Sequence, residues 1–221
     1  MIGNRQPQLG ISFQNNDCHN LDHNKALMSK AQETRAKIIR QAAELFNQQG
    51  YSGASIADVM QATGLKKGGI YNHFKSKDEL ALEAFDYAHS LTLQKIWQAV
   101  KQKRNAKERL EAMMSCYLDF IDNPPIAGGC PLLNTAIESD DTHPALRDRT
   151  REAMDAWRSL ISKIVQTGIK KGEINSQIEP DLVATILIST IEGAVMMSKL
   201  YQDPLHLERA VKHLHNYIDN L

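Results

Sequence analysis

"GLKKGGIYNHFKSKDEL", residues 64–80, decides how the rest of the chain is read. The segment has helical character, yet it sets Gly68 and Gly69 beside Lys66 and Lys67 and follows them with Tyr71, Asn72 and His73. A helical glycine costs up to about 1 kcal/mol relative to alanine, so a helix that only had to fold would carry Ala or Glu there. A bare backbone and clustered positive charge suit contact with something outside the chain.

Working upstream, Ile38, Ala42, Leu45 and Phe46 form an apolar stripe at helical spacing that stops at Gly50. Ser55 followed by Asp58 reads as an N-cap with an acidic partner, opening a short helix that ends at Thr63-Gly64. The spacing predicts three helices, roughly 34–49, 55–63 and 67–74, joined by short connections. This is a helix-turn-helix, with 67–74 as the recognition helix. Ile70 and Phe74 lie at i and i+4 and would pack inward. Lys67, Gly68, Tyr71 and Asn72 would then face outward. Gly68 and Gly69 let the helix tip approach a phosphate or base edge. Lys66, Lys67 and Lys77 would neutralise phosphates, Tyr71 and His73 would donate to phosphate oxygens, and Asn72 would read a base edge.

The charge distribution agrees. Net charge is zero, but residues 25–77 carry nine Lys/Arg against three Asp/Glu, an excess of +6. Residues 78–221 carry 16 against 21, or −5, and residues 1–24 one against two, or −1. A basic segment ahead of an acidic remainder reads as a polyanion-facing head on an ordinary body, against the plainer reading of uneven solvated charge.

Working downstream, helix follows helix. Ser76 to Glu79 is a capping box that opens a helix running to about residue 104, with Leu82, Phe85, His89, Ile96, Trp97 and Val100 inward. Asn105 to Glu108 repeats the pattern ahead of Leu110, Met113, Met114, Tyr117 and Ile121. Pro131, Pro144 and Pro180 suit the first turns of three further helices, and a last helix carries Val211, Leu214 and Ile218. With no alternating strand pattern, the fold class is all-α: an N-terminal three-helix domain over 31–78 and a larger helical domain over 79–221. Residues 1–30 read as a disordered tail, with Met28 as a candidate natural start.

At 221 residues, 42% hydrophobic and 24% charged, the chain has the profile of a soluble globular protein. No run approaches the roughly 18 uninterrupted apolar residues of a membrane span, and the N-terminus lacks signal-peptide features. Three scattered cysteines, Cys18, Cys116 and Cys130, make no disulfide framework. A cytoplasmic protein is the expectation, with no membrane partner. The spacing of His206, His213 and His215 matches no zinc site, so neither metal nor cofactor is expected.

"TRAKIIRQAAELFNQQGYSGASIADVMQATGLKKGGIYNHFKSKDEL", residues 34–80, resembles the DNA-binding domain of the TetR family of bacterial transcriptional regulators. The resemblance implies that Ser55, Lys67, Gly68, Tyr71, His73 and Lys77 sit at positions that commonly touch DNA. Lys66, where the family often has Ser or Thr, and Gly69, where it has a side chain, depart from the pattern and leave base preference open. The resemblance further implies a homodimer on a double-stranded palindromic operator, with two helices of each body paired across a two-fold axis. Trp157, Ile161, Ile164, Ile186 and Thr190 are candidates for that seam. It also implies a small-molecule inducer in the body, for which Trp97, Met113, Tyr117, Phe120, Cys130 and Met154 are candidate lining residues; each also fits an ordinary core position.

The loop "GGCPLLNTAIE" resembles a subgroup that senses electrophiles through cysteine. Cys130 at a helix N-terminus would have a lowered pKa, while the competing reading makes it a small buried gap-filler. A thiol enzyme pairing Cys130 with His143, and a helical adaptor with a basic head, are the alternatives. The first has no evident third orienting residue, and the second would not need Gly68, Gly69, Tyr71 and Asn72.

Overall fold

The structure is a computed structural model that describes residues 29–221. Of the expected tail 1–30, residues 1–28, with the candidate start Met28 and Cys18, lie outside the described residues, and Lys30 is already helical. Among the described residues every regular element is helical. The described residues divide into two units, 29–36 and 37–221. In the first, the Ser29 amide donates to Gln32 Oε1 and the Gln32 amide to Ser29 Oγ. This reciprocal cap explains why the first helix, α1 (Lys30–Gln49), begins four residues before the expected start at 34.

The second unit continues α1 and adds α2 (Ile56–Thr63), α3 (Lys67–Tyr71) and α4 (Lys77–Val100). Ser55 and Asp58 make the full reciprocal cap of α2. Gly64 ends α2 at φ +70°, the left-handed region that glycine adopts without strain. Lys37 Nζ donates to Thr63 O at 2.7 Å, satisfying a carbonyl at the end of α2. The third helix is shorter than the predicted 67–74. Its chain tightens after Tyr71, the His73 amide reaching Ile70 O, three residues back, at 3.0 Å. Two glycines in five residues leave little propensity to extend it. Ile38, Ala42, Val59, Ile70, Phe74 and Leu80 close a core around these helices.

Next come α5 (Ala106–Ser115), a 3₁₀ segment (Cys116–Phe120), α6 (Pro131–Ser139), α7 (Pro144–Lys170), α8 (Pro180–Tyr201) and α9 (Leu205–Asp219). α4 stops at Val100, short of 104, because the Arg104 amide and the Asn105 side chain both bond the Glu108 carboxylate that caps α5. Leu110, Met113, Met114, Tyr117, Ile161, Leu187, Ile191 and Leu207 fill the body core. α4 supplies both cores, Leu80 and Ala84 to the head, Ala81 and Phe85 to the body. The expected boundary near residue 78 thus falls in the first turn of a helix belonging to both.

α8 is long and apolar enough to cross a bilayer, but half of that stretch is buried against the chain's own helices. Its hydropathy has a local cause: one face is core, and the opposite face still exposes Leu182, Met196, Met197 and Leu200.

Candidate nucleic-acid interface and effector cleft

The packing of α3 fixes what it shows to solvent. Ile70 and Phe74 are buried in the head core, which leaves Lys66, Lys67, Gly68, Tyr71 and Asn72 exposed on one surface. A Cβ built on Gly68 would meet nothing within 4 Å, so the head's own packing does not require glycine there. Lys67 Nζ lies 5.8 Å from the Tyr71 ring centre, close enough for a cation–π contact that orders both side chains along the face. His73 is half-buried beside them.

Three expected contact residues have a different setting. A Cβ on Gly69 would approach Leu65 Cβ at 3.4 Å, so this glycine looks back along the turn and only Gly68 is bare outward. Lys77 turns inward: its ammonium donates to Tyr51 O and lies 4.1 Å from the Tyr51 ring centre. It is therefore half-buried, whereas Lys66 and Lys67 are exposed. The Ser55 hydroxyl is engaged by Asp58, accepting from its amide and donating to its carboxylate. These hydrogen bonds hold the Asp58 carboxyl below its ordinary pKa.

This face is attached to the body through α6. Asn47 of α1 donates to Ala127 O at 2.8 Å and Gly129 O at 3.0 Å, and Asn134 of α6 donates back to Asn47 O at 3.1 Å. Glu138 accepts from the Tyr51 amide at 2.8 Å and the Ser52 amide at 2.9 Å. Gly50 has φ +79°, and a Cβ there would sit 2.7 Å from Glu138 Oε1. The Tyr51 hydroxyl donates to Asp78, with His143 Nε2 3.5 Å from the same carboxylate. Burial and the Asp78 carboxylate push the Tyr51 phenol up to about 12. The sequence reading missed Asn47, Asn134 and Glu138, because each meets a partner some 80 or more residues away.

In the body, an open cleft of about 460 Å³ lies between α6, α7 and α8, lined by Leu133, Ala136, Met154, Ile188 and Glu192 among others. Of the expected lining residues only Met154 reaches it. Met113, Tyr117, Phe120 and Cys130 are buried core, and Trp97 is half-buried against that core. Cys130 does take the N-cap of α6, but the lowered pKa expected there is overturned. Burial and the neighbouring Glu192 carboxyl push its thiol well above the ordinary value. Cys130 Sγ donates to Glu192 Oε1 at 3.0 Å. His143 caps α7, accepting from the Leu146 amide at 3.1 Å. The two would-be enzyme partners thus stand on either side of the nine-residue α6.

Of the expected pairing residues, Trp157, Ile161 and Ile164 are buried within the chain's own core, and Ile186 and Thr190 are half-buried. Leu182, Ser189, Met196 and Leu200 form an exposed arc of α8 at helical spacing, with Gly193 half-buried between them. Among the described residues no three of His, Cys, Asp and Glu come together as a metal site would require.

A family model described as bacterial regulatory proteins, tetR family, matches residues 38–84, and a tetracyclin repressor-like C-terminal domain model matches residues 106–214. The chain is also 46% identical to a TetR transcriptional regulator from Chloroflexus aurantiacus J-10-FL. The match covers 86% of this chain and 96% of that one, with a TM-score of 0.84. The chain belongs to the TetR family. A TetR-family regulator from Cytophaga hutchinsonii is 32% identical over 88% of this chain and 97% of its own, with a TM-score of 0.82. The transcriptional repressor DhaR from Mycobacterium sp. (strain GP1) is 24% identical over 75% of this chain and 82% of its own. This TetR-family chain is a DNA-binding transcriptional regulator and not an enzyme.

Proposed function

We propose that this regulator is a dimeric repressor that binds a near-palindromic operator in the bacterial cytoplasm and is released by a small molecule bound in the body. The observation that carries the DNA-reading part is the outward face of α3, where Lys67, Gly68, Tyr71 and Asn72 stand together with a bare Cα at the centre. Lys66 and Lys67 neutralise phosphates, Tyr71 and His73 donate to phosphate oxygens, and Asn72 reads a base edge. A second copy covers the exposed α8 stripe, whose Gly193 lets two helices approach closely, and this sets two α3 helices on one duplex.

Release follows from α6. Leu133 and Ala136 on this helix face the cleft, while its Asn134 and Glu138 hold the head. A molecule in the cleft that favours one placement of α6 favours one placement of the head, and its differential affinity sets the size of the shift.

Titration against the protein's own upstream DNA at several salt concentrations tests the reading. Affinity should fall steeply with salt, and Lys67→Ala should reduce the logarithmic slope by about one while weakening all sequences alike. Asn72→Ala should relax preference at a single base step. A salt-insensitive affinity, or an operator preference untouched by Asn72→Ala, would reject the assignment.

A further inference from the structure

Gly128 and Gly129 precede α6 at φ +106° and +94°, in the left-handed region that side chains rarely adopt. Space forbids a side chain there as well. A Cβ on Gly128 would sit 2.5 Å from the backbone oxygen of Asn47 in α1, and one on Gly129 would sit 3.3 Å from Lys199 Cδ and Nζ in α8. The two-glycine segment therefore passes between the head and α8 and touches both.

Its carbonyls are divided between those neighbours. Ala127 O and Gly129 O accept from Asn47 Nδ2, at 2.8 and 3.0 Å. Gly128 O, between them in the chain, accepts from Lys199 Nζ and, at 2.9 Å, from Asn134 Nδ2 of α6. One residue on, Cys130 Sγ donates to Glu192 Oε1, also on α8. Glu192 and Lys199 are about two turns apart, so α8 holds the segment at two points separated by about 10 Å along its axis.

The end of α8 does not account for Lys199. That end is closed by backbone, the Gln202 amide reaching Lys199 O at 3.4 Å and the Asp203 amide Ser198 O at 3.0 Å. An exposed lysine is ordinarily left to solvent, because ordering its long side chain is costly, and this one is directed at a loop carbonyl instead. It stands about 100° around the helix from Leu200, so a second copy on the exposed arc leaves it free. Beside it is an open groove of about 260 Å³ that it shares with Asn47, Asn134 and Glu138.

We propose that Lys199 is a positioning residue for operator recognition. By clamping the Gly128-Gly129 segment to α8, the helix that carries the pairing arc, it fixes the angle at which the head leaves the body. That angle sets the half-site spacing that two heads can span. Freedom at this joint would not change what α3 touches, but it would widen the range of spacings on which both α3 helices can seat. The proposal rests on the dimeric-operator reading of the preceding section.

Titrations of the full chain on three kinds of duplex test it: the footprinted upstream site, the same site with one base pair inserted or removed between its half-sites, and one half-site alone. One base pair displaces a half-site by about 3.4 Å and turns it by about 35° around the duplex. The unaltered protein should prefer its own spacing by about tenfold or more. Lys199→Met keeps the length and removes the donor. It should cut that preference to about threefold or less, with half-site affinity and its salt slope unchanged. Lys199→Arg, which keeps a donor, should restore most of the preference. Equal loss on every duplex, the half-site included, would mean that Lys199 only supports the fold. A spacing preference untouched by Lys199→Met would mean that the clamp does not set the angle. Either result overturns the proposal. If the unaltered protein itself shows no preference among the spacings, the dimeric-operator reading falls and the proposal falls with it.

Discussion

Cys130 occupies an N-cap, where unpaired amides and the helix dipole favour a thiolate, and is nevertheless held as a thiol. Two local facts outweigh position: it is 3% exposed, and its nearest polar neighbour is a carboxyl rather than a cation. Cys116 is likewise pushed up by burial, to about 12. Iodoacetamide labelling followed by peptide mapping should therefore find both unmodified at pH 7 in the native protein and both modified after denaturation. A labelling pKa for Cys130 at or below the ordinary thiol value of about 8.5 would contradict this assignment. The same contrast between position and neighbours separates Lys67 from Lys77. Sequence alone placed both on the DNA side, and only the fold shows Lys77 committed to Tyr51.

Among the elements, α6 carries more than its nine residues suggest. One face touches the cleft and another grips the head, so its two ends can report on each other. Glu138→Ala removes the acceptor of two backbone amides and should destabilise the protein by about 1–3 kcal/mol in urea unfolding. Amide exchange at Tyr51 and Ser52 should speed up, while that of α9 stays as it was. Unchanged exchange at both amides would mean that α6 does not hold the head. The helices themselves were largely legible, because N-caps at Ser55, Ser76 and Asn105 and prolines at 131, 144 and 180 mark their starts locally. Their ends were less so. α3 and α4 both stop early through interactions that spacing does not encode. The grip of α6 was invisible, since a lone Asn or Glu in a helix says nothing about a partner 80 residues away.

For the whole molecule, the sequence separated a basic head from an acidic body and identified which side of α3 faces outward. It could not assign the pairing face. α7 and α8 both carry broad apolar sides, and only the packed structure shows that Trp157, Ile161 and Ile164 are spent internally while Leu182, Met196 and Leu200 remain exposed. With that stripe joining two copies, two α3 tips meet one duplex about one helical turn apart, roughly 34–36 Å. Footprinting of the intact protein on its upstream DNA reads this arrangement most directly. Two protected half-sites in inverted orientation at that separation, both lost with Leu200→Glu on the pairing stripe, are the expected result. Protection of a single half-site, or an unchanged two-site footprint with Leu200→Glu, would contradict it.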